Sequence, residues 1–263
     1  MYDSSNLELG SPQALTHIMD TMRKGRLDIK QNGIPLNIGK KLGAGGTKTV
    51  YEANLDDKRF AIAVPNTVDG IERMTQKWKV ALQEPAKTKK IRSLGLLANP
   101  DYEAMPVDIN GVSFTALKMA RYEDLPYQIM DGKSLYSSTV NTDLLPTELN
   151  ENIYEQYMSN IVPDIQVMLE NGLRVGVDSI NICIVDEKPR IFLSDVGDAE
   201  FGAISKENIP SYAKKYIIFA LSAFTNGLTE NEYRKHKVFF DSDSFDYRSP
   251  DNIISKIVGR LNL

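Results

Sequence analysis

The stretch Leu42-Gly43-Ala44-Gly45-Gly46-Thr47-Lys48-Thr49-Val50-Tyr51 constrains the chain more than any other. Glycines at 43, 45 and 46 let the backbone reverse tightly. The β-branched and aromatic run after them favours a returning strand. A strand, a tight turn and a second strand are therefore expected, with Lys48 opening the second. Further on, Asp56-Asp57 and Asn110-Gly111 separate the apolar runs Arg59–Val64, Tyr102–Ile109 and Val112–Met119. Asn-Gly between such runs is a strong hairpin signal. With a strand over Ile34–Leu42 after the Asn32-Gly33 turn, these runs make a small antiparallel meander of five strands.

The remaining segments have helical spacing. Ser11-Pro12 starts one helix, with Leu15, Ile18, Met19 and Met22 on its apolar face. A lysine-rich helical stretch covers Val68–Leu97 and is interrupted at Pro85. A long helix over Leu149–Asn171, kinked at Pro163, is followed by a buried helix over Ser211–Phe224 and two last helices, Thr229–Lys237 and Asp251–Leu261. The fold class expected is α+β, with a helical extension over residues 1–30, a sheet-based domain over 31–120 and a mainly helical domain over 121–263.

Composition excludes several functions. A formal charge of −4 provides no global attraction for nucleic acid or for an anionic membrane, so any phosphate recognition is local. Cys183 is the single cysteine, which leaves no intramolecular disulfide and no cysteine-based zinc cluster and points to a reducing compartment. His17 and His236 have no metal-ligand spacing, and the acidic aromatic run Phe239–Tyr247 reads as a loop. No apolar run approaches the roughly 20 residues of a membrane span, and residues 1–6 lack a secretory signal. A cytoplasmic protein is expected.

Gly43, Gly45 and Val50 match the first two glycines and the valine of the protein-kinase glycine-rich loop, with Lys48 in the third glycine position. In the next strand Ala63 stands where the kinase lysine is found. The pattern from Gly43 to Tyr51 resembles the with-no-lysine kinases, whose phosphate-binding lysine lies in the glycine-loop strand. Downstream, Asp178 and Asn181 look like a kinase catalytic loop, although Gly176-Val177 replaces the usual His-Arg and the asparagine follows the aspartate by three positions where kinases have five. Asp195-Val196-Gly197 resembles the metal-binding Asp-Phe-Gly.

The resemblance implies a bilobal protein-kinase-like fold with a reduced carboxyl-terminal lobe, since no Ala-Pro-Glu follows Asp195. It implies ATP and Mg2+ as cofactors. The glycine turn (Gly43, Gly45, Gly46), Lys48 and Val50 would bind the nucleotide; Glu84, or its competitor Glu72, would orient Lys48; Met119 would open the hinge that meets adenine through backbone groups. Asp178 would position the acceptor hydroxyl, and Asn181 and Asp195 would hold the metal. The compact form is similar to kinase-like effectors of intracellular bacteria, which implies a host protein as substrate and delivery into the host cytosol without a cleaved signal peptide. Three other activities suit the same residues: a pseudokinase that binds a partner protein, transfer of the nucleotide itself, and phosphorylation of a small molecule or lipid.

Overall fold

A computed structural model of the chain describes residues 12–130, 151–226, 251–261 and 263. Ser11, the first residues of the Leu149–Asn171 helix, the helix expected over Thr229–Lys237, His236 and the Phe239–Tyr247 run lie outside the described residues. The chain divides into two compact units: Met1–Lys90 with Asn99–Asp124, and Ile91–Ala98 with Leu125–Leu263. The expected α+β class is the one observed, and the elements follow the order that the kinase resemblance implies.

The first unit is built on β1 (Ile29–Gln31), β2 (Ile34–Pro35), β3 (Asn37–Ala44), β4 (Lys48–Leu55), β5 (Lys58–Pro65), β7 (Glu103–Ile109) and β8 (Val112–Met119). They form a seven-stranded sheet in the order β2-β1-β7-β8-β5-β4-β3. This corrects the five-stranded expectation at one edge: Leu36 interrupts the strand drawn over Ile34–Leu42, and residues 29–31 add a short strand paired with β7. The hairpin turns are the sequence's own. Asn32-Gly33, Asp56-Asp57 and Asn110-Gly111 all take positive φ, the left-handed geometry whose twist matches antiparallel strands.

Three helices belong to this part of the chain: α1 (Pro12–Arg23), α2 (Ile71–Ala81) and α3 (Glu84–Ser93). α1 is no appendage, because Leu15, Ile18 and Met19 lie in the same core as Ile62, Ala63 and Val64 of β5. On α2 the buried residues Met74, Trp78 and Ala81 fall on one stripe, and the Trp78 indole N–H donates to the Thr115 carbonyl at 3.1 Å. The helical stretch over Val68–Leu97 is two helices. Pro85, which has no N–H to offer, stands in the first turn of α3, where none is needed.

The second unit pairs a small sheet with helices. Its strands, β6 (Leu97–Ala98), β9 (Gln128–Met130), β10 (Ile180–Val185) and β11 (Lys188–Leu193), lie in the order β6-β11-β10-β9. The long helix expected over Leu149–Asn171 is two helices, α4 (Glu151–Met158) and α5 (Val162–Glu170), joined by a 3-10 turn over Ser159–Ile161. Pro163 again occupies a helix start. α6 (Ile209–Asn226) buries Ala213, Tyr216, Ile217, Ala220, Leu221 and Phe224 at helical spacing, and α7 (Asp251–Val258) follows.

Asp164 fastens α5 to the β10–β11 hairpin. Its carboxylate is buried and accepts from Arg190 Nε and Nη2 at 2.8 and 2.7 Å and from the Ile191 amide at 2.8 Å. Cys183 lies in β10, fully buried, as a core residue. Burial pushes its thiol up to about 12.

Candidate active site

The expected site residues fall into two groups, one in each unit. In the first, the glycine turn is a tight reversal closed by the Gly45 amide on the Lys48 carbonyl at 2.8 Å. The pairing of β3 with β4 shifts register between Lys41 and Gly43, so the strand leading into the turn is bulged and twisted. Two residues that sequence reasoning did not single out tether the turn. The Asn66 amide donates to the Gly45 carbonyl, and Lys77 of α2 donates to the Gly46 carbonyl at 2.9 Å and to Asp69 at 2.6 Å. The Lys77 hydrogen bond holds the Asp69 carboxyl below its ordinary range.

Strand register explains where Lys48 points. Val50 of β4 stands directly opposite Ala63 of β5, and directly opposed residues share a face. Lys48 lies two residues from Val50, so the period of two puts Lys48, Val50 and Ala63 on that same face. A lysine absent from position 63 is thereby replaced by one two residues along the neighbouring strand.

The Lys48 ammonium meets a carboxylate there. Its Nζ donates to Glu84 Oε1 at 2.7 Å and to Oε2 at 2.6 Å. The pair is largely withdrawn from water, with side-chain exposures of 14% for Lys48 and 3% for Glu84. Glu84 is the first residue of α3, where the helix dipole favours a negative charge. Of the two glutamates the sequence left open, Glu84 is the one paired with Lys48, whereas Glu72 is exposed on α2. Tyr102 completes the group: its hydroxyl donates to Glu84 Oε2 at 2.5 Å and lies 3.4 Å from Lys48 Nζ. No local pattern marks Tyr102, because its role is set by a partner 18 residues away.

At the far end of β8, Met119 pairs with Ala61 in the sheet. In the hinge that follows, both backbone groups of Ala120 are already used: the Asn99 side-chain amide donates to its carbonyl at 2.8 Å and accepts from its N–H at 3.0 Å. The hinge is also held from beside. Arg121, almost fully buried, is surrounded by the carboxylates of Glu52, Glu123 and Asp124.

The second group belongs to the second unit. Asp178 stands exposed in a one-turn 3-10 segment, Val177–Ser179, that leads into β10. Asn181 is the second residue of β10 and pairs in register with Phe192 of β11. Its side-chain nitrogen donates to Ser194 Oγ at 2.7 Å, which turns the amide oxygen, a hard donor, away from that bond. Asp195 is exposed just beyond β11. Ser179, another residue not singled out from sequence, joins these positions. Its hydroxyl donates to the Asp195 carbonyl and its own carbonyl accepts from the Ser194 amide at 3.0 Å. The turn carrying Asp178 and the segment carrying Asp195 are thus fixed to each other by one main-chain bond and one from the Ser179 hydroxyl.

Asn181 and Asp195 of this second group supply one amide oxygen and one carboxylate. This set suits Mg2+, which prefers oxygen ligands and completes its shell with water and substrate phosphates. Among the described residues no three His, Cys, Asp or Glu side chains cluster as a metal cage. No described helix is long and apolar enough to cross a membrane.

No family model matches the sequence, and no curated protein matches it. Among solved structures the chain is similar to two double-mutant forms of the PknI kinase domain of Mycobacterium tuberculosis. One is 14% identical, with 73% of each chain covered and a TM-score of 0.37. The other is 13% identical, covering 84% of this chain and 94% of that one, with a TM-score of 0.38.

Proposed function

We propose that the protein is an atypical kinase-like phosphotransferase that binds ATP with Mg2+ and moves the γ-phosphoryl group to a serine or threonine hydroxyl of a protein. The observation that carries this reading is the buried Lys48–Glu84 pair on the face shared with Val50 and Ala63. A lysine held by a glutamate is an aimed positive charge, and phosphoryl transfer depends on such charges more than on covalent chemistry. Bound ATP supplies the phosphoryl group and Mg2+ screens its oxygens. Lys48 neutralises phosphate charge, while Glu84 and Tyr102 keep its ammonium oriented. Asn181 and Asp195 hold the metal. Asp178 takes up the acceptor hydroxyl and its proton as the bond from oxygen to γ-phosphorus forms and the bond to the bridging oxygen breaks, releasing ADP. The glycine turn, Gly43 to Gly46, would cover the phosphates, Val50 would lie against the base, and the segment that begins at Met119 would meet the adenine edge.

A reduced second unit suits an effector that acts on proteins of a host cell, and the acceptor is sought there first. The test is the melting temperature with ATP, with and without Mg2+, for the wild type, Lys48→Ala and Asp195→Ala. Ligand at 100 times its dissociation constant adds about 2.7 kcal/mol to the folded state, which is readily seen. A magnesium-dependent rise that is lost in Asp195→Ala supports the reading. The absence of any rise at millimolar ATP replaces it with a partner-binding pseudokinase, which the missing His-Arg before Asp178 also permits.

A further inference from the structure

We infer that Gly176 is a positioning residue: its missing side chain is the space in which the Asp178 carboxylate rests. A Cβ built on Gly176 would stand 2.8 Å from Asp178 Oδ1 and 3.6 Å from Ser179 Oγ. The carboxylate therefore folds back over the α-carbon two residues earlier and fills the volume that any side chain at 176 would take.

Glycine at 176 is not explained by its backbone. Gly172 and Gly202 both have positive φ, and a Cβ on Gly172 would strike the Gly202 backbone at 2.8 Å. Gly176 is not among the residues with positive φ, so an L-residue fits its main chain. Among the described residues, its close neighbours across the missing Cβ are the two side chains of the following turn. The requirement at 176 is for room.

The turn that carries the carboxylate is fixed on both sides. Its backbone is closed by the Ser179 amide on the Gly176 carbonyl at 3.3 Å. Upstream, Arg174 and Glu200 exchange two main-chain hydrogen bonds at 2.8 and 2.9 Å. Downstream, the buried Ser179 is bound to Ser194 and Asp195. With both ends pinned, the Asp178 carboxylate rests beside Gly176, where Ser179 Oγ is its one companion within 4 Å of the absent Cβ among the described residues. Position 176 also lies five residues before Asn181, the spacing at which the sequence departs from the kinase pattern. The fold returns the acid to that place through space, two residues later in the chain, just as Lys48 replaces a lysine at 63. This role rests on the phosphotransfer reading above, because the carboxylate it positions is the one assigned to the acceptor hydroxyl.

Gly176→Ala should displace the carboxylate without harming the fold, since the atom that must move is the tip of an exposed side chain. The experiment has two readouts. In the ligand-free protein, the carboxyl 13C resonance of Asp178, identified by its loss in Asp178→Asn, should shift in Gly176→Ala while the melting temperature holds or rises. With Mg2+ and γ-phosphate-labelled ATP, and with the chain itself and water as acceptors, Gly176→Ala should lower kcat about 10- to 100-fold with KM for ATP unchanged, the loss expected of a reacting group misplaced by an ångström. The relocated acid, Gly176→Asp with Asp178→Gly, should regain about tenfold or more over Gly176→Ala. An unmoved resonance overturns the inference. So does full turnover by Gly176→Ala alongside an inactive Asp178→Asn. If the wild type transfers no phosphate to either acceptor, the phosphotransfer reading and this catalytic role fall together, while the resonance still decides whether Gly176 houses the carboxylate.

Discussion

Breaking the Lys48–Glu84 pair from one side should cost more stability than replacing both partners. At 2.6 Å and an effective dielectric near 20, two unit charges attract by about 6 kcal/mol. Most of that attraction offsets the several kcal/mol lost when each ion leaves water. The net worth of the pair is therefore small, but either ion left alone is an uncompensated charge in a site where Glu84 is 3% exposed. Glu84→Gln keeps a partner for Tyr102 yet removes the countercharge of the ammonium, and Lys48→Met removes the countercharge of the carboxylate. Each should lose about 3–5 kcal/mol. The double variant, which buries no unpaired charge, should lose about 2 kcal/mol or less, a coupling energy of at least about 4 kcal/mol. Trp78 provides the assay, because it is the chain's single tryptophan and is fully buried in the first unit's core. Its fluorescence in a denaturant titration reads the unfolding of the unit that holds the pair. Tyr102→Phe, which removes one hydrogen bond to a charged group, should lose about 1.5–3 kcal/mol in the same assay. Two single variants whose losses simply add would refute the paired burial, and with it the idea that Glu84 aims Lys48.

Other outcomes follow from the second unit. Asp164→Ala leaves the Arg190 guanidinium and the Ile191 amide without their acceptor, and thermal unfolding monitored by circular dichroism should show a loss of about 3–5 kcal/mol. Because burial holds the Cys183 thiol up near 12, it is neutral and shielded at pH 8; a thiol reagent should label it only as fast as the unit unfolds, and prompt labelling of the native protein would contradict its place in β10. Glu155 joins α4 to Lys256 and Arg260, and the Lys256 hydrogen bond lowers its carboxyl from the ordinary 4.5. A lowered carboxyl stabilises above its unfolded value, so this contribution is complete above 4.5 and disappears as pH falls through the lower folded value. Glu155→Gln should flatten the melting-temperature profile across that acid range and leave its neutral limb unaltered in slope.

Much of the architecture was readable from local chemistry. Asn32-Gly33, Asp56-Asp57 and Asn110-Gly111 marked their hairpins because few residues accept the left-handed turn geometry. The 3.6-residue stripes of α1, α2 and α6 marked helices, whereas the face that Ala63 shares with Lys48 and Val50 follows from the strand register. The same local rules failed where a turn or proline could be accommodated in more than one way. Pro85 and Pro163 were read as interruptions or kinks and are instead first-turn residues of α3 and α5, and the short pairing of residues 29–31 with β7 has too few residues to show a period.

Partnership was decided by tertiary structure alone. Glu84 and Glu72 look equally able to hold a lysine in sequence, and only the tertiary structure brings the first to Lys48 and leaves the second in solvent. Tyr102, Asn99, Ser179 and the Asp164–Arg190 pair carry no local signature, since each acts on groups separated from it along the chain. The folding of the Asp178 carboxylate over Gly176 is a matter of free volume, which a string of residue types does not record. Periodicity and turn chemistry are short-range properties that each segment carries by itself. The meeting of two charges such as Lys48 and Glu84, 36 residues apart, exists only once distant segments have packed.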